Sequence, residues 1–184
     1  MAPERIPPQP DPSRLTDFAA HPLVVGVVPG QPPLVALTAA SLGRALASPT
    51  IYFAYVDTGR FTTEEYADGT VRHEAIDPDL AGDGWTETEQ ALRAALTQTL
   101  AGQDVAWELR YLAGRVDRSL THLARAVDAA VFVVGTHVGR HPRIADFING
   151  SISVQLTHRQ HRPVLVVPLE VVDWFGRAPW DEPA

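Results

Sequence analysis

The segment that most restricts the fold runs from Val131 to Pro168. Val131, Phe132, Val133 and Val134 form an unbroken apolar run rich in β-branched and aromatic residues, the pattern of a strand covered on both faces. It ends at Gly135. A polar loop, THVGRHPRIADFIN, carries Gly139 and Pro142 among His137, Arg140, His141 and Arg143, and delivers the chain to Gly150 and Ser151. Ile152, Val154 and Leu156 then mark an amphipathic helix. It closes on His158, Arg159, His161 and Arg162, cations suited to the negative end of a helix dipole. Pro163 stops it, and Val164 to Val167 make a second apolar strand.

The helix start at Gly150-Ser151 offers unpaired backbone N–H groups and the positive end of the dipole to an anion. Glycine allows close approach of backbone to a phosphate, Ser151 can donate its hydroxyl, and Arg140 or Arg143 can supply charge. A second strand end has the same form. LVVGVV, residues 23 to 28, reads as a buried strand; it runs into Pro29-Gly30-Gln31-Pro32-Pro33 and then a helix over Leu34 to Ala47, with prolines near the first turn where they are tolerated.

The remaining elements follow from pattern. IYFAYVD, residues 51–57, is a strand. Thr86 and Glu89 have capping-box spacing, Leu92, Leu96 and Leu100 recur every four residues, and Gly102 suits a C-terminal cap, so a helix lies between them. Val105, Trp107, Leu109 and Tyr111 alternate as in a strand near a sheet edge. Val116, Leu120, Leu123, Ala124 and Val127 have helical spacing. Residues 58–84 carry Glu64, Glu65, Asp68, Glu74, Asp77, Asp79 and Asp83 without a clear period, and read as an acidic, solvated, variable loop.

The stretches VFVVGTHVG, GS and HRPVLVVP, with LVVGVVPGQPP, IYFAYVD and LAGRVDRSLTHLARAVDAAVFVVG upstream, resemble the universal stress protein family from about Leu23 to Pro168. The family signature is G-x-x-G, nine residues, then G followed by Ser or Thr. The resemblance implies a doubly wound α/β sandwich with a five-stranded parallel sheet in the order 3-2-1-4-5 and helices on both faces. It also implies frequent dimerisation and, in one branch, ATP bound between the first and fourth strands, with or without Mg2+. Carried over by position, the nucleotide contacts are Pro29, Gly30, Gln31, Tyr55, Val134, Gly135, Thr136, Gly139, Arg140, Gly150, Ser151 and Ile152. Tyr55 matches a position whose backbone meets the adenine. Two departures mark the motif as divergent: Pro29 stands where the family usually has aspartate, and the loop between Gly135 and Gly150 is two residues longer than the pattern.

Composition limits the alternatives. At 184 residues and 45% hydrophobic the chain suits one globular domain. A formal charge of -7 argues against nucleic-acid and anionic-membrane partners. With no cysteine there is no disulfide framework, thiol nucleophile or thiolate metal site. The N-terminal residues lack the apolar core of a secretion signal and no run has membrane-spanning length, so a cytoplasmic location is expected. The pairs His137/His141 and His158/His161 have no acidic third ligand beside them. Ser151 does not sit in a G-x-S-x-G elbow, and no lysine follows Gly150 as in a Walker loop.

The expected organisation is a flexible, proline-rich arm over 1–20, a domain over 21–168, and a tail over 169–184 containing Trp174, Phe175 and Trp180 as a cover for a partner or the crevice. Strand 163–168 is the expected homodimer contact, as an apolar edge. The leading functional expectation is a non-catalytic dimeric module that binds ATP in stress regulation and signals to partner proteins. A dimeric interaction module that has lost nucleotide binding comes next, and an ATP-hydrolysing enzyme third.

Overall fold

The computed structural model describes residues 11–77, 84–136 and 152–169. The apolar runs become strands β1 (Leu23–Gly26), β2 (Ile51–Asp57), β5 (Trp107–Ala113), β6 (Val131–Gly135) and β7 (Val164–Val167). These five form one sheet in the order β5-β2-β1-β6-β7, every pair parallel. Counted along these five strands alone, that is the expected 3-2-1-4-5.

The helices are α1 (Leu34–Ala45), α2 (Gly84–Thr99), α3 (Val116–Ala126) and α4 (Ile152–Arg159). They divide between the two faces because alternate strand residues point oppositely. Leu23, Val25, Phe53, Leu109 and Val133 pack against Val35, Ala39 and Ala40 of α1 and Leu92 and Leu96 of α2. Val24, Ala54, Leu112, Phe132 and Val134 pack against Leu120, Leu123 and Ala124 of α3 and Leu156 of α4. Small residues on α1 allow it to approach the sheet closely; a Cβ on Gly43, for example, would lie 2.7 Å from Cδ1 of Ile51.

Helix ends explain the turns at the amino ends of the strands. After α1, Ala47 adopts φ 50°, with its N–H donating to the carbonyl of Arg44 and the N–H of Ser48 donating to that of Gly43. After α3, Asp128 (φ 50°) does the same, with Asp128 N–H to Arg125 and Ala129 N–H to Ala124. Both are Schellman stops in which a residue with a Cβ fills the left-handed position usually given to glycine. Gly102, expected to end α2, does have φ +75°.

Two expectations need correction. The region read as a loop contains a hairpin, β3 (Arg60–Glu65) and β4 (Val71–Ala75), paired antiparallel with an irregularity between Thr62 and Glu64. The physical reason is that its strands find apolar partners elsewhere in the fold rather than from their own alternation. Helix α2 starts at Gly84, so Thr86 lies inside the first turn and is not its cap; Thr88 instead returns its hydroxyl to the carbonyl of Gly84. In the N-terminal arm, Pro12–Arg14 form a 3-10 turn and Ala20 N–H is tied to the carbonyl of Leu46. Residues 1–10 and 170–184 lie outside the described residues, as do the tryptophans of the tail. No helix among the described residues is long and apolar enough to cross a membrane.

Candidate functional site

Sheet order reverses between β1 and β6, so the helices that follow these strands leave on opposite faces and a crevice opens at the strands' carboxyl ends. The sequence builds its β1 wall from a tight turn. Gln31 N–H donates to the carbonyl of Val28 (3.2 Å), Pro29 holds the first corner and Gly30 the second, with φ +72°. A type II turn asks for this Pro-Gly pair, because its third residue needs positive φ. Gln31 then folds back on the turn, its Oε1 accepting from Val28 N–H at 3.3 Å.

The β6 wall comes from Gly135 and Thr136. Thr136 N–H donates to the carbonyl of Val167 and Thr136 Oγ1 accepts from Leu169 N–H, both at 2.8 Å, which draws the chain after β7 across the end of β6. The two walls touch. A Cβ on Gly135 would lie 2.7 Å from Nε2 of Gln31, 2.8 Å from Cδ1 of Leu169 and 3.1 Å from Cγ2 of Val35. A side chain at 135 would have to displace these three side-chain ends.

Of the residues expected at the site, Pro29, Gly30, Gln31, Gly135 and Thr136 are thus brought together. Val134 points the other way, 2% exposed in the core under α3 and α4, so only its backbone is available to the crevice. Ile152 opens α4 and packs against the same core. Gly139, Arg140, Gly150 and Ser151 lie outside the described residues. Leu169 and Val35 were not anticipated; nothing in the local sequence marks them, since sheet topology alone brings them to Gly135.

Tyr55, at the end of β2, places its ring edge-on to Tyr111 of β5 with centroids 5.2 Å apart. The ring lies against the core. Beyond it sits a polar and aromatic group. The hydroxyl of Tyr111 donates to Oδ2 of Asp57 at 2.6 Å, and Gly59 N–H donates to Oδ1 at 2.8 Å. Burial, then the bond and charge of Asp57, push the Tyr111 phenol well above its usual range. Burial and Asp57 also raise Tyr55. Trp85, in the first turn of α2, stands 5.7 Å from the Tyr111 ring and 5.0 Å from that of His73 on β4.

Among the described residues no group of His, Asp and Glu is placed to hold a metal ion. At these strand ends the backbone N–H groups of Val28, Gln31 and Thr136 are engaged within the protein, which leaves the Gln31 amide nitrogen and the Thr136 hydroxyl as the polar groups of the crevice. Such a pair can hydrogen-bond a polar ligand.

The sequence shows no significant similarity to any curated protein. Its fold is similar to solved structures. A universal stress protein from Archaeoglobus fulgidus superimposes with a TM-score of 0.56 at 16% identity, over 81% of this chain and 94% of that one. A universal stress protein in complex with cAMP gives 0.54 at 21%, over 83% and 99%. The Archaeoglobus fulgidus universal stress protein in complex with dAMP gives 0.54 at 16%, over 80% and 97%. The model of the universal stress protein family matches residues 31–168, most of the described domain, and the chain belongs to that family.

Proposed function

We propose that this protein is a dimeric, adenine-nucleotide-binding regulatory module that acts by binding and not by catalysis. The observation that carries the reading is the meeting of Gln31 with Gly135 at the switch point, where the β1 turn and the β6 end form two walls of one crevice. Ligands of open parallel sheets occupy that position. Structural relatives in complex with cAMP and dAMP support an adenine nucleotide as the ligand class. In this reading ATP lies with its phosphates toward Gly150 and Ser151, Arg140 supplies charge, and Gln31 replaces the family's aspartate. Magnesium accompanies the nucleotide only through its phosphates.

Edge chemistry supports the dimer. Among the described residues β7 pairs with β6 alone, and its Leu165 and Val166 are exposed. An apolar edge strand pairs readily, and a two-fold mate closes the contact. The bound or empty state of the crevice is then read by partner proteins.

The test is calorimetric titration of the protein with ATP and AMP, beside the variant Gly135→Leu, whose side chain would displace Gln31 and Leu169. Saturable binding that the variant abolishes, with its circular dichroism unchanged, is the expected result. No binding by the wild-type chain at millimolar nucleotide would overturn the reading and leave the interaction module without nucleotide. That second reading has its own observation, because Gln31 and Leu169 already fill space over Gly135.

A further inference from the structure

The β3–β4 hairpin straddles the edge strand β5. At its tip, Gly69 (φ +82°) packs so closely on α3 that a Cβ would lie 2.6 Å from Cδ1 of Leu123. Glu65 meets Arg118 at 3.4 Å and His122 at 3.3 Å on the same helix. Thr62 donates its hydroxyl to the carbonyl of Ala113 at the end of β5. On the opposite face of the sheet, His73 is wedged between Trp85 of α2 and Tyr111 of β5, with centroids 5.0 and 5.4 Å away. The hairpin is therefore clamped at two ends with β5 beneath it.

The clamp on the α2 side is sensitive to protons. At the α2 side, Arg60 Nε donates to Nδ1 of His73 at 2.8 Å, and the Arg60 guanidinium lies 5.9 Å from the Trp85 ring centroid. A guanidinium only donates, so Nδ1 must carry a lone pair. Protonation there removes the acceptor and sets two cations against each other. The groups that bear on this imidazole are Arg60 from β3, Asp57 from β2 and Glu89 from α2, while Tyr111 from β5 stays neutral. Asp57 already accepts from Tyr111 and Gly59, and Glu89 pairs with Arg93 at 2.9 Å, so an imidazolium would share both carboxylates with existing partners, and burial and the Arg60 charge outweigh their pull.

We propose that His73 is an acid-sensitive latch: in its neutral form it accepts from Arg60 and holds the hairpin against α2 and β5, and on protonation it releases that side while the α3 clamp keeps the hairpin attached. The outer edge of β5 and the Trp85–Tyr111 ring surface are then uncovered. Burial, followed by the charge of Arg60, lowers the pKa of His73 from the ordinary histidine value. The native state therefore binds fewer protons than the unfolded one just below about pH 6.5. The contact is whole above that pH and lost as pH falls through the native value.

Hydrogen exchange on the intact protein at about pH 7.5 and about pH 5 tests the latch, with rates corrected for intrinsic exchange. The expected result is a loss of about tenfold or more in protection of the 60–75 amides relative to those of β1 and β6 in the wild type. In His73→Gln, which keeps an acceptor without a titrating ring, that ratio stays constant. In His73→Phe, which keeps the ring, it also stays constant. Equal acid sensitivity in the wild type and both variants, or no sensitivity in the wild type, would overturn the proposal. So would an imidazole of His73 that titrates by NMR above the ordinary histidine range.

Discussion

Asp117 on α3 and Arg159 at the end of α4 meet at 3.1 Å, with the carboxylate 3% exposed and the guanidinium 56% exposed. Arg115 approaches the same carboxylate at 2.9 Å. Only the acid is withdrawn from water, and each arginine keeps donors for solvent, so the burial cost falls on one group. This pair matters because α4 has eight residues and is too short to persist alone. Asp117→Asn keeps the shape and removes the charge. Its expected cost is about 1–3 kcal/mol, read as a lower urea midpoint, with the α4 amides losing exchange protection before those of α3.

Ala47 holds a left-handed conformation after α1 at a strain cost that glycine does not carry. Glycine also loses more entropy on folding, so the two effects partly cancel. Ala47→Gly should stabilise the protein by about 0.5–1 kcal/mol, visible in thermal unfolding as a rise of a few degrees. A lower melting temperature would mean that the methyl group has packing value that outweighs the strain.

Neutral Tyr111 is favoured in the fold by burial and by its bond to Asp57. Above about pH 10 an unfolded phenol releases its proton while the native one retains it. The native state then binds more protons, so stability falls as pH rises beyond that point. Tyr111→Phe should cost about 0.5–1.5 kcal/mol at neutral pH and show a shallower decline between about pH 9 and pH 11. Urea unfolding at the two pH values compares the slopes.

The edge strand supplies a test of assembly. Leu165 and Val166 of β7 are 38% and 39% exposed. Lysine at either position places charge on the edge, a common means of blocking strand pairing. Leu165→Lys should convert a two-chain species to a single chain in light scattering, with circular dichroism preserved. A wild-type chain that is already monomeric at micromolar concentration would refute the dimer.

Much of the sheet was legible in the sequence because its strands are buried on both faces. Runs such as Val131 to Val134 need no partner to be recognised, and IYFAYVD coincides with β2 residue for residue. The leucine spacing of α2 was equally plain, although its start was not, since Gly84 and Trp85 precede the apparent cap. The hairpin escaped because Arg60, Glu64 and Glu65 are surface residues whose order comes from Trp85, Tyr111 and Leu123, far away in the chain. The site was half legible. Pro29-Gly30 announces a turn at a strand end, but the approach of Gln31 and Leu169 to Gly135 arises from strand order, which no local pattern encodes.

The crevice has a further consequence for how the protein is made. Its walls, the turn after Gly26 and the end of β6 at Gly135, adjoin in the sheet but are separated by β2, the hairpin, β5 and three helices in the chain. A polypeptide still emerging from the ribosome has the first wall long before the second, and long-range parallel pairing forms slowly. Any ligand of the crevice can therefore be captured only after β6 has been made and paired with β1, so its binding reports that this distant pairing has formed.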